Sequence, residues 1–166
     1  MPSIRISKQE KDALYFITCT VQNWYYLFDR HNRFHILEES LQYCQKNKEV
    51  KVYAYVFMLN HIHLIVSSPD TSRFLCDFKK YTSRELMKNI LATEPNVASL
   101  FPEQNGKHKI WQETNFPKLI ETEDFFLQKK QYIEENPIRK EYVSNPKHWI
   151  YSSANPFSPI ALEAVE

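Results

Sequence analysis

The sequence holds one glycine, Gly106, in 166 residues. Phosphate-cradling loops need several glycines so that backbone N–H groups can approach a phosphate closely, so P-loop and Rossmann-type nucleotide sites are excluded. Cysteine is scarce as well. Cys19, Cys44 and Cys76 are widely separated, odd in number and never in a CxxC pair, which argues against a disulfide framework or a thiolate zinc site and for a reducing compartment. No apolar run reaches the ~18 residues of a membrane span. The N-terminus, Met1 to Lys8, is polar and lacks the apolar stretch of a signal peptide, so a soluble, cytoplasmic chain with no membrane partner is expected. An excess of one charge is missing too. Twenty-one Lys and Arg against 20 Asp and Glu leave a formal charge of +1, so any nucleic-acid surface must be local.

What is present is core-forming material: 43% of the residues are hydrophobic and 14% aromatic, ample for one buried core. Residues 14–21 are rich in β-branched and aromatic side chains and read as a strand. Phe34, Ile36, Leu37, Leu41 and Cys44 recur at helical spacing between about 31 and 47. Residues 50–58 read as a second strand, and Leu59-Asn60 is short enough to turn it into a third at 61–67. Residues 68–72 offer Ser or Thr as the N-cap of a helix running to about 91. On it Phe74, Leu75, Phe78, Thr82, Leu86 and Ile90 share one side, while Arg73, Lys80, Arg84 and Lys88 form a basic stripe on another. Composition is loop-like from 92 to 107, residues 109–111 suggest an edge strand, and a helix is expected over 121–135 with Asn136-Pro137 as its stop. From Tyr142 on, prolines at 146, 156 and 159 suggest an irregular tail. This inventory predicts an α+β sandwich with a largely antiparallel sheet and packed helices, of ferredoxin-like (RRM-like) topology. The expected organisation is a single catalytic domain over 1–153 with a C-terminal tail over 154–166.

The chemistry-bearing residues begin with His61 and His63. They lie two apart in a strand, so both imidazoles project from one sheet face and can share a divalent metal. A structural zinc would want four ligands, and no further Cys or His lies nearby, so an open shell suits catalysis. The pair alone fits equally well with histidines that cap a core or line a solvated face. Tyr132 and Asn136, four apart, share a helical face, and an amide oxygen there would complete a shell favouring magnesium or manganese. Tyr132 is one of ten tyrosines, and a helix tyrosine is more often core or interface than nucleophile.

The run Tyr55-Val56-Phe57-Met58-Leu59-Asn60-His61-Ile62-His63-Leu64-Ile65-Val66 is followed by Trp111-Gln112, Tyr132-Ile133-Glu134-Glu135-Asn136-Pro137-Ile138 and Tyr151-Ser152-Ser153. In that order, from about Tyr15 to Ser153, it resembles the single-tyrosine HUH transposases. Among them it is most similar to the REP-associated tyrosine transposases and the insertion-sequence-200-like enzymes. The resemblance implies a metal held by His61, His63 and Asn136. It also implies that Tyr132 attacks single-stranded DNA near hairpin (palindromic) elements, leaving a 5′-phosphotyrosine and a free 3′-hydroxyl for strand joining. Retention of the phosphodiester energy in that link agrees with the missing nucleotide loop. Two residues depart from the family pattern: Leu59 replaces a usual proline, and Glu134 stands where histidine is common. A histidine that many relatives carry near 115–118 is absent. Relatives occur as monomers and as homodimers.

The resemblance implies phosphate contacts from basic residues and stacking of unpaired bases on aromatics. The candidates are Arg73, Lys80, Arg84 and Lys88 on one helix, and Lys129, Lys130, Arg139 and Lys140 around the tyrosine. Each set also fits an ordinary solvated face or helix-end solvation. Trp111 and Trp149 read as loop anchors rather than base platforms. Two other functions fit the pattern: a domesticated hairpin DNA-binding protein without transposition activity, and an RNA-binding sheet.

Overall fold

A computed structural model describes residues 12–165. The N-terminal reading over 1–8, the start of the expected 1–153 domain and residue 166 lie outside the described residues. Four strands form one sheet: β1 (Leu14–Thr20), β2 (Lys51–Phe57), β3 (His61–Ser67) and β6 (Lys118–Ile120), in the order β2-β3-β1-β6, every neighbour antiparallel. Helix α1 (Arg33–Asn47) joins β1 to β2, and α2 (Thr71–Thr93) leads from β3 toward β6. That interleaving of two β-α-β units is the ferredoxin-like topology. A last helix, α3 (Glu123–Arg139), follows β6, and a two-residue hairpin, β4 (Glu103–Gln104) and β5 (Lys107–His108), stands apart from the main sheet. Among the described residues, no helix is long and apolar enough to cross a membrane.

The sheet is covered on both sides because its strands are apolar on both. Tyr15, Ile17 and Cys19 of β1 and Ile62, Leu64 and Val66 of β3 pack under α1 and α2. The alternate residues Phe16 and Ile65, with Ala54, Val56 and Met58, pack against Phe126 and Ile133 of α3. A bulge between Val52 and Ala54 shifts the β2 register. It puts Val52 and Tyr55, an odd number of residues apart, on the same face. The helix pair is pinned by Arg33, wholly buried, whose guanidinium donates to Leu27 O, Asn89 Oδ1 and Glu94 Oε2; a charge at that depth needs such a full set of partners.

Four local expectations change. The N-cap of α2 is Asp70, whose side chain accepts from Arg73 N, not the flanking Ser or Thr. The fourth strand is 118–120, while 109–111 gives only an isolated bridge of Trp111 to Val21. Helix α3 starts at Glu123 behind a Thr122 cap and runs through Pro137, although 136–137 reads as a stop. Pro137 falls in the last turn and is buried, and its carbonyl accepts from Tyr142 N at 3.0 Å. Packing thus offsets the lost backbone donor. The chain after Tyr142 is also more ordered than a surface tail. Phe57 N donates to Tyr151 O at 2.8 Å and Ser153 N to Tyr55 O at 2.9 Å, covering the β2 edge, and Ile160 enters the main core.

Candidate active site

Strand alternation decides where the histidines go. Because Ile62, Leu64 and Val66 are claimed by the core under α1 and α2, His61 and His63 must face α3. Both are buried, at 8% and 4% exposure, with ring centroids 4.8 Å apart. Each has its Nδ1 engaged. Asn60 Oδ1 lies 2.7 Å from His61 Nδ1, and Thr18 Oγ1 lies 2.9 Å from His63 Nδ1. The Asn60 amide nitrogen donates to Trp24 O at 3.1 Å, which fixes its oxygen as acceptor and so makes His61 Nδ1 the donor. The Nε2 lone pair is then left for a ligand. Neither Nε2 has a hydrogen-bond partner among the described residues.

Burial keeps both rings neutral. His61 is pushed down to about 4, first by desolvation and then by Lys140. His63 is pushed down to about 3 by desolvation, then by His61, Arg139 and Lys129. A neutral imidazole is the form that binds metal. The sign for stability follows: an unfolded chain binds protons at these rings below its ordinary pKa near ~6.5, while the folded chain does so only near 4 and 3. The metal-free protein should therefore lose stability as the pH falls from about 6.5 toward 4. Thermal melts across that range check this, and the His61→Gln/His63→Gln double variant should show a shallower decline.

Helix α3 brings the other two residues over this face. The Tyr132 ring lies 5.4 Å from His63 and 6.0 Å from Phe16, edge-on to both. It is 41% exposed, and its hydroxyl has no hydrogen-bond partner among the described residues. Two turns later Lys140 sits close enough to His61 to depress it. Asn136, midway between Tyr132 and Lys140 on the same helical side, is 4% exposed. Its side chain has no hydrogen-bond partner among the described residues. An amide without a hydrogen bond, on the side of α3 that carries Tyr132, can supply a divalent cation with the oxygen that the two imidazole nitrogens lack. Among the described residues no three His, Cys, Asp or Glu side chains cluster to hold a metal, so any site depends on that amide.

The expected basic residues divide. Arg139 stacks over the Tyr132 ring at 4.3 Å and donates to Tyr132 O. Lys129 Nζ is 5.4 Å from the same ring and 4.9 Å from Phe16. Lys140 is exposed at the His61 end. Lys130 instead turns away and pairs with Glu134 at 3.6 Å; Glu134 also accepts from Ser153 Oγ, tying α3 to the C-terminal segment. The stripe on α2 lies across the sheet from α3. There Lys80, Arg84 and Lys88 line a groove of ≈ 460 Å³ with Lys107 and His108 of β5; Arg84 and Lys88 both reach Glu85, at 3.5 and 3.2 Å, and Arg73 is paired with Asp77 at 3.1 Å. Trp111 and Trp149 are anchors: their indoles donate to Thr82 Oγ1 and Phe57 O.

Three residues of this face escape the sequence reading. Thr18 holds His63, Asn60 holds His61, and Lys118 lies beside Lys129 and, after burial, lowers its pKa. Asn60 is legible as the neighbour of His61. Thr18 and Lys118 become visible only once β1 is paired with β3 and β6.

Residues 11–136 match the family profile described as transposase, IS200-like. An uncharacterized protein of Haemophilus influenzae is 24% identical, with 82% of this chain and 87% of that protein covered. In fold, the chain is similar to a REP-associated tyrosine transposase bound to a REP hairpin. The TM-score is 0.71 at 18% identity, over 92% of this chain and 82% of the other. A candidate transposase from Deinococcus radiodurans R1 superposes with a TM-score of 0.50 at 17% identity, over 81% and 97% of the two chains. With its motifs, its sheet and the span of that match in agreement, the chain belongs to the IS200-like transposase family.

Proposed function

We propose that this protein cuts and rejoins single-stranded DNA next to hairpin elements through a 5′-phosphotyrosine on Tyr132, assisted by magnesium or manganese held by His61, His63 and Asn136. The observation that carries the reading is the placement of the partly exposed Tyr132 ring 5.4 Å from a buried, neutral His63. A bound cation would supply Lewis-acid polarisation of the scissile phosphate. The protein's own residues do the rest. Tyr132 Oη attacks phosphorus as its proton passes to water. The bond to the 3′-oxygen breaks, and that oxygen takes up a proton to become the free hydroxyl. Arg139 and Lys129, which flank the ring, balance the charge of the incoming phosphate. Reversal with a different 3′-hydroxyl joins strands without ATP.

The DNA is held from two sides. Lys129, Arg139 and Lys140 meet the scissile strand, while Lys80, Arg84 and Lys88 in the α2 groove suit the phosphates of the hairpin stem. Ion pairs with Asp77, Glu134 and Glu85 temper the contributions of Arg73, Lys130, Arg84 and Lys88 alike. Incubation with manganese and an end-labelled hairpin bearing a single-stranded flank should give a covalent adduct that survives denaturation. Failure to form it with flanked hairpins under any divalent metal overturns the reading.

A further inference from the structure

Directly after β1 the chain makes a turn at Gln22–Trp24 in which Asn23 and Trp24 both have left-handed backbones, φ 55° and 60°. A bulky side chain there meets its own backbone and is seldom accommodated. Such a position is retained where the surroundings hold it, and those surroundings are the metal-ligand strand. Trp24 O accepts from Asn60, whose oxygen binds His61, and Val21 N donates to Asn60 O at 2.9 Å. Leu27 and Phe28 donate to Leu59 O, so the loop wraps the turn preceding His61. None of this buries the indole. Trp24 is 61% exposed and Tyr26 is 56% exposed, whereas the other two tryptophans are buried or half-buried anchors. Tyr26 lies beside Tyr142, just past α3 and the exposed Lys140.

We propose that Trp24 is a stacking platform for an unpaired DNA base at the His61 end of the site, an inference that rests on the function proposed above. The chemistry of the place suits one occupant. A large exposed π-face takes the face of a base, and every base has such a face, so the contact tolerates sequence. Strain accepted for an indole that is mostly exposed is understandable if the indole is there for a ligand.

The test is binding without chemistry, in chelator, of a hairpin with a single-stranded flank and of the same hairpin cut blunt. Trp24→Ala should weaken the flanked hairpin roughly five- to a hundred-fold, the usual range for one base–aromatic stack, and change the blunt hairpin less than about twofold. Trp24→Phe should recover most of the loss. Trp24→Gly, which relieves the left-handed backbone, should lose flank binding while melting no lower than wild type. Equal losses on both hairpins, or no recovery with phenylalanine, would mean a structural role and overturn the proposal. A chain that forms the covalent adduct but is indifferent to Trp24→Ala overturns it alone. Trp24-dependent flank binding with no adduct overturns the phosphotyrosine reading alone.

Discussion

Tyr132→Phe is expected to yield no covalent protein–DNA adduct and no strand joining, while hairpin affinity stays within about twofold of wild type. The variant loses one oxygen from a ring that is 41% exposed and whose hydroxyl bonds to nothing described. Folding gives up no hydrogen bond and little packing. The stacking of Arg139 over the ring and the edge contact with His63 are retained by phenylalanine. Chemistry loses its proposed nucleophile. The Thr18 hydroxyl, on the same face, is committed to His63. Denaturing gels of labelled substrate read the adduct, and anisotropy with the same oligonucleotide reads binding. Residual cleavage above background would move the nucleophile elsewhere.

His63→Ala should be nearly as severe, on the order of a thousand-fold or more in cleavage at saturating manganese, because it removes one of the two nitrogens of the proposed three-ligand set and with it the proposed Lewis-acid help. Chelation of the wild-type protein should have the same effect and be reversed by added magnesium or manganese. Added metal should not rescue His63→Ala. Thr18→Val separates ligation from orientation: the ring stays, but its Nδ1 partner at 2.9 Å is lost, with an expected 10- to 100-fold loss in metal affinity or activity. Titration of metal against cleavage rate distinguishes the two variants. Wild-type cleavage that persists in chelator would remove the metal from the mechanism.

The sequence displays the histidine strand almost without error because 61–67 is an unbroken strand-forming run, and its structural limits are the same. Helical periodicity likewise places Tyr132 and Asn136 on one face. It cannot say on which side of a sheet a helix will dock. The basic stripe of α2 and the tyrosine of α3 carry no mark in sequence of how they lie relative to each other, and in the structure they are on opposite sides of the sheet. Pro137 misleads for a related reason, since the rule that ends helices at proline omits the burial and the following turn that stabilise the last turn of α3. The short β6 carries too little pattern in three residues to stand out. Thr18 lies 45 residues from the histidine it supports, and only strand register brings them together.

The exposure of Tyr132 also sets how such a gene can decay. A one-residue shift in the register of β3 would turn Ile62 and Leu64 toward α3 and the histidines toward α1 and α2, so catalysis and folding would fail at one lesion. Loss of the tyrosine ring's oxygen costs the fold almost nothing. On the function proposed above, a single point change can thus convert a DNA-cutting protein into a stable hairpin binder, and selection could then keep the binder after mobility has gone.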